Sequence, residues 1–153
     1  MVKSVLKMSA ALAVMAFPLS ANAITLEDIS GNWSCVVQAY DLSAFGEYEY
    51  DINPSGMGRI TGYFDIYQDE GTIAVDFMSD MALRIDGETL YEGATAVDVE
   101  SMTVGDQDVG DEMKDALAAD MVAQGESPNS IKYYDQNVLL LASGDNASFC
   151  VKE

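Results

Sequence analysis

The sequence predicts a mainly β protein, an antiparallel up-and-down β-barrel of about eight to ten strands with one amphipathic helix inserted before the last strands. Three observations support this fold class. Apolar and polar residues alternate with a period of two along several short segments that are separated by turn residues. The two cysteines, Cys35 and Cys150, lie near the two ends of the chain. A single segment has a helical period instead.

Residues 1–23 read as a secretory signal peptide. Lys3 and Lys7 give a basic start, 8–19 is apolar apart from Ser9, and Ala21-Asn22-Ala23 is a small-x-small cleavage site. The apolar run is too short for a membrane anchor. We therefore expect a bacterial protein that is cleaved after Ala23 and is periplasmic or secreted, with no integral membrane segment in the mature chain and a single barrel domain over 24–153.

The cysteine pair predicts how the first and last strands meet. An even, minimal cysteine count in an exported protein favours one disulfide, although two free thiols are the alternative. If antiparallel strands place Cys35 opposite Cys150, Trp33 lies opposite Lys152 on the same face, and the ammonium can cover the indole ring. Phe149 and Val151 then fall on the other face, which predicts a bulge or a last strand that is covered on both sides.

The middle of the chain predicts an antiparallel meander. In 47–52 the acids share one face, and Tyr48, Tyr50 and Ile52 share the other. The turns are formed by segments rich in Asn, Asp, Gly and Pro, namely 53–56, 69–71, 86–87, 135–137 and 144–146. The remaining strands are predicted over 33–39, 59–67, 73–77, 83–86, 95–104, 131–134, 138–142 and 147–152. The connections of the meander are too short for the helical crossovers that a parallel sheet requires.

The period changes at Asp106. Apolar residues then recur every four positions at Val109, Met113, Leu117 and Met121, which is a helical stripe. Gly125 is a natural end for this helix. We expect the helix to lie against the barrel wall or across one mouth.

Several short motifs resemble small exported bacterial lipocalin-like proteins, which are calycin-type barrels. A helical turn precedes the Gly-x-Trp-x-Cys pattern, and a basic residue stands on the closing strand where lipocalins place an arginine over the tryptophan. The matching positions are Gly31, Trp33, Cys35, Gly56, Ile131, Val138, Leu140, Cys150 and Lys152. The resemblance implies a calycin-like barrel and an apolar ligand.

The charge of the chain restricts its partners. Residues 24–153 carry 26 acidic and five basic side chains, a formal charge of −21. Such a charge argues against nucleic acids and anionic membrane surfaces. It is explained either by solubility, including life in salty water, or by a cationic protein partner.

No recognisable catalytic or metal motif is present. The chain has no histidine, which excludes Ser–His and Cys–His nucleophilic sites. The stretch Asp51-x-Asn53-x-Ser55-Gly56 copies half of a calcium loop, but Gly62 stands where that loop needs a glutamate, so a hairpin turn is favoured. We expect no enzyme activity, no cofactor and no metal.

Apolar and tyrosine side chains are the candidates for a ligand site. A helix lid of three residues and five residues of the barrel face could line a cavity: Tyr48, Tyr50, Phe64, Val75, Phe77, Met113, Leu117 and Met121. The alternative is that these side chains only fill the barrel. The first hypothesis is thus a non-enzymatic carrier of a small apolar ligand in the cell envelope. The others are an acidic module that binds or inhibits a cationic protein, and a structural envelope protein.

Overall fold

A computed structural model describes residues 23–153 of the chain. All of the predicted signal peptide except Ala23 lies outside the described residues. The elements are nine strands and one helix: β1 Gly31–Ala39, β2 Ala44–Asn53, β3 Met57–Gln68, β4 Gly71–Asp86, β5 Thr89–Val104, β6 Gln107–Asp108, α1 Asp111–Ala123, β7 Glu126–Tyr134, β8 Val138–Ser143 and β9 Asn146–Lys152. Within this range, α1 is neither long nor apolar enough to cross a membrane.

Eight of the strands form a closed antiparallel barrel. The sheet order is β4-β3-β2-β1-β9-β8-β7-β5, and β4 also pairs with β5, which closes the ring. The short β6 pairs only with Thr103 and Val104 of β5. The predicted barrel with one helix before the last strands is therefore confirmed.

The closure between β5 and β7 is short. These strands pair only from Thr89 to Gly93 of β5, so, among the described residues, 94–102 have no strand partner on that side. Helix α1 contacts β5. It thus lies against the barrel wall, which is one of the two placements that the sequence predicted.

Strands β4 and β5 are longer than the sequence indicated. Each has 16 residues, so β4 runs without a break through the two predicted segments 73–77 and 83–86, and β5 begins at Thr89 rather than Thr95. Two register shifts leave Thr95 and Glu100 as extra residues on β5. Each bulge inserts one residue and so changes which alternate residues of β5 face inward. The apolar residues therefore stay on the inward face along this long, curved strand.

The predicted disulfide is present, with a distance of 2.03 Å between the sulfurs of Cys35 and Cys150. In the antiparallel register of β1 and β9, Trp33 is opposite Lys152. The Lys152 ammonium lies 5.1 Å from the centroid of the Trp33 ring and donates to the carbonyl of Ser30 at 2.7 Å.

The outer face of β9 corrects one expectation. Strand β9 pairs with β1 and β8 without a register shift, and Phe149 and Val151 are 47% and 44% exposed. Neither the predicted bulge nor the predicted covering layer is present in the described residues. The inward side of the strand is set by Cys150, which is fully buried, so its apolar neighbours must point outward.

The apolar core fills the end of the barrel at which β1 begins. The turn at 25–28 is capped by Asp28, which accepts hydrogen bonds from the Thr25 amide and hydroxyl, both at 2.8 Å. Ile29 follows this turn and is completely buried, and its carbonyl accepts a hydrogen bond from the Trp33 indole at 2.9 Å. Tyr50, which is 1% exposed, belongs to the same core.

Candidate functional site

A cavity of about 230 Å³ lies on the inner face of the barrel beyond the core, where β5 separates from β7. Its wall combines apolar side chains of β3, β4 and β5 with the C-terminal end of α1 and the start of β7. The lining residues are Ile60, Phe77, Ser79, Met81, Glu92, Ala94, Met121, Gln124, Gly125 and Ser127.

Glu92 is the acid in this wall. In β5 it shares the inward face with Leu90, because alternate residues of a strand point to the same side. The Tyr50 hydroxyl donates a hydrogen bond to Glu92 Oε1, and the Asn129 amide donates one to Oε2. Strands β2 and β7 therefore hold the carboxyl group of β5 from two sides.

Burial changes the titration of this group. It raises the pKa of Glu92 from 4.5 to about 7, against the lowering effect of the hydrogen bonds from Tyr50 and Asn129. Two titratable side chains of β2 are electrostatically coupled to Glu92. The pKa of Tyr50 and that of Tyr48 are both raised by burial and, secondarily, by the negative charge of Glu92.

The remaining polar groups of the cavity are neutral. Ser79 is 2% exposed, and its hydroxyl lies 3.3 Å from the Ala96 carbonyl and 3.1 Å from the sulfur of Met81. Gln124 and Ser127 flank Gly125, which adopts a left-handed conformation with φ of 71°. Glycine suits this position because other residues are strained there, and the chain can turn directly from α1 into β7.

Four of the eight sequence-predicted ligand residues are at or next to this cavity. Phe77 and Met121 line it, and Tyr50 reaches it through the hydrogen bond to Glu92. Phe64 packs against Phe77 with ring centroids 5.3 Å apart.

The other four predicted residues have different surroundings. Val75 is 1% exposed, as expected for a side chain that fills the barrel. Tyr48 lies next to Tyr50, with ring centroids 6.1 Å apart. On α1, Leu117 is partly buried whereas Met113 is 51% exposed. The helical stripe therefore meets the barrel mainly at its C-terminal end.

A second, wholly apolar cavity of about 190 Å³ lies at the mouth formed by the β1–β2 turn. Its lining residues are Val37, Ala39, Leu42, Ala44, Phe45, Phe64 and Ile66. Phe64 lines this cavity and its partner Phe77 lines the first one. The aromatic pair thus stands between the two spaces.

A groove of about 430 Å³ on the outer surface is larger, but two of its charged side chains already pair with each other. It is lined by Arg59 and Asp80, which form a solvent-exposed ion pair at 2.8 Å. Such pairs are solvated and weak. Within residues 23–153 no group of three or more acidic or cysteine side chains is placed to hold a metal ion, and the calcium-like stretch forms the hairpin turn between β2 and β3.

Sequence reasoning missed Glu92 and Asn129. The signal for Glu92 was present, because Leu90, Glu92 and Ala94 alternate and follow the Asp86-Gly87 hairpin turn. Starting the strand at Thr89 would have placed the acid on the inward face. Asn129 precedes Ile131 at the same spacing of two on β7, but nothing in the sequence indicates that it meets Glu92.

Comparison of the sequence with protein-family models and with curated proteins gives no match. The geometry of the cavity therefore carries the functional argument. Its apolar walls can hold hydrocarbon, and its single acid can accept hydrogen bonds from a polar end group.

Proposed function

We propose that this protein is an exported, lipocalin-like, non-enzymatic binding protein that holds a small amphipathic molecule inside its barrel. The observation that carries the proposal is the cavity at the β5–β7 separation, with Glu92 as the acid in a largely apolar wall. An eight-stranded barrel is wide enough either to be filled by side chains or to hold one small ligand. The cavity favours the second use.

The surroundings of the cavity support binding rather than catalysis. Tyr50 and Asn129 hold the Glu92 carboxyl group, and among the described residues that line the cavity there is neither a nucleophile–base pair nor a second carboxylate. A fixed acceptor in an apolar wall orients a ligand without reacting with it. The disulfide and the signal-like residues 1–23 support a site outside the cytoplasm.

The volume gives the size of the part of a ligand that the cavity can enclose. A dry cavity of about 150 Å³ holds benzene, which has six non-hydrogen atoms. By proportion, about 230 Å³ holds a molecule of about nine such atoms. This is smaller than drug-sized ligands, which need roughly 300 Å³ or more.

The test is a calorimetric titration of the oxidised protein, residues 24–153, with 1-octanol, which has about this size. We expect saturable binding with a negative heat-capacity change, because apolar surface is buried. The variant Ala94→Phe fills the cavity and should abolish binding. Its matched control is Ala96→Phe, which makes the same substitution on the same strand at an exposed position and should bind as the wild type does.

Met121→Trp blocks the cavity from α1 instead of from the barrel wall, and it keeps the test valid if Ala94→Phe does not fold. Equal binding by the wild type and by the folded filled variants would place the ligand elsewhere and overturn the proposal. So would the absence of binding by the wild type. If the titrations support the proposal, native mass spectrometry of protein purified from its host should identify the natural ligand as a mass excess that is lost on denaturation.

A further inference from the structure

We propose that the ligand of this cavity carries an amine, and that Glu92 binds it as an ammonium group. This inference rests on the proposed function and adds the chemical class of the ligand.

The hydrogen bonds of Glu92 leave acceptor capacity free. A carboxylate offers about four lone-pair sites. Tyr50 uses one on Oε1 and Asn129 uses one on Oε2. Both donors are neutral, so they orient the carboxyl group without balancing its charge.

The basic side chains of the described residues are engaged or exposed elsewhere. Arg59 pairs with Asp80 at 2.8 Å, Arg84 with Glu126 at 2.5 Å, and Lys114 with Asp111 at 2.8 Å. Lys152 covers Trp33 at the barrel end, and Lys132 is exposed on β7. Within residues 23–153, Glu92 therefore has no cationic partner, and a cation from the ligand would be its first.

The shape of the cavity fits an amine with a hydrocarbon body. Ile60, Met81 and Ala94 offer apolar contact beside the acid, and Phe77 presents an aromatic ring to the same space. An ammonium group gains from both a carboxylate and an aromatic ring. The hydrocarbon body gains from the apolar wall.

The charge of the chain selects the same class of ligand. Residues 24–153 carry a formal charge of −21, which attracts cations and repels carboxylates such as fatty acids. An anionic ligand would also place its charge near Glu92 in a poorly solvated space.

The test compares octylamine with 1-octanol, which have the same hydrocarbon chain and differ in the polar group. At pH 8 we expect octylamine to bind about tenfold to a hundredfold more tightly, the range that corresponds to a hydrogen bond with charged groups. In Glu92→Gln this preference should fall to less than about threefold, while 1-octanol still binds. Glu47→Gln removes one exposed charge from β2 and should keep the preference. This control distinguishes the local effect of Glu92 from the electrostatic attraction of the whole chain.

A second measurement needs no mutation. The groups coupled to Glu92 are Tyr48 and Tyr50, both neutral below pH 8, so Glu92 alone changes charge in the site. As the pH falls below 7, protonation of Glu92 should weaken octylamine binding. The loss of affinity should approach tenfold for each pH unit. Binding of 1-octanol should change much less.

The outcomes separate the two proposals. If 1-octanol and octylamine bind equally, with no effect of Glu92→Gln or of pH, the amine inference is wrong and the proposed function stands. If neither binds, both are wrong. Tighter binding of octanoate than of octylamine would also overturn the inference.

Discussion

At the scale of single residues, the site depends on an acid placed where strands usually place apolar side chains. Glu92 stands on the inward face of β5, and opposite it on β4 lies Leu83, which is 6% exposed. The carboxyl group persists there because Tyr50 and Asn129 donate to it and because it can hold a proton. Burial favours its neutral form, compared with a solvent-exposed glutamate.

Replacing Glu92 by glutamine should change how stability depends on pH. The pKa of Glu92 rises from 4.5 in the unfolded chain to about 7 in the folded protein. Between these values the folded state binds a proton that the unfolded state has lost. The stabilisation of the folded state by this proton is therefore complete below pH 4.5 and is lost as the pH rises through 7. The free energy of unfolding changes by roughly 3 kcal/mol over this range.

Glu92→Gln cannot lose this proton, so its stability relative to the wild type should increase from pH 4.5 to pH 8. Urea unfolding at several pH values measures the difference. Glu47→Gln controls for the loss of one negative charge at an exposed position. If the two variants differ from the wild type by the same amount at each pH, Glu92 does not titrate as the structure indicates.

At the scale of elements, two inward-facing glycines determine how closely β2 and β3 approach. The register of β2 and β3 runs without a shift through Gly62. A Cβ atom on Gly62 would lie 2.5 Å from the Cα of Tyr48. A Cβ on Gly46 would lie 2.5 Å from the carbonyl of Tyr63. Glycine at both positions allows the strands to coil around the barrel.

Substitution of Gly62 by alanine should separate these strands. Because the atoms in the way belong to the backbone, no side-chain rotation can relieve the contact, and we expect a loss of about 1–3 kcal/mol in the free energy of unfolding. Gly93→Ala is the matched control, since its new Cβ would have no neighbour closer than 3.6 Å and alanine suits a strand better than glycine. Chemical denaturation of both variants measures the effect. Equal stabilities would show that β2 and β3 tolerate a wider spacing.

At the scale of the whole molecule, the disulfide links the first strand of the barrel to the last. Cys35 and Cys150 are 115 residues apart, so the link closes almost the whole described chain into a loop. The barrel is also closed at a second seam, where β5 and β7 share only five residue pairs.

Removing the disulfide should destabilise the barrel strongly. In the chain-entropy model a loop of this length contributes about 4–5 kcal/mol, so Cys35→Ala with Cys150→Ala should lower the free energy of unfolding by up to this amount. The control is Val36→Ala with Phe149→Ala, an adjacent and exposed pair on the same two strands, which should cost about 1 kcal/mol or less. Thermal and urea unfolding compare them. A similar loss in both double variants would mean that packing, not the covalent link, holds this seam.

The negative charge is a property of the whole molecule, and the fold does not decide its purpose. The cationic protein partner and the adaptation to salt remain predictions, because the acidic outer faces of strands such as β2 fit either one. The same charge bears on the cavity, since it favours a cationic ligand over an anionic one.

The sequence by itself determined the barrel, its approximate strand positions, the helix before the last strands and the pairing of β1 with β9. These features depend on local periods, on turn residues and on the side of a strand that a cysteine occupies, all of which are written along the chain. The identity of the site was decided only by the tertiary structure. Tyr50, Glu92 and Asn129 come from three strands, and their contact depends on the register of those strands around the closed ring. Local periodicity carries no information on that register, because the register arises from the packing of all eight strands at once.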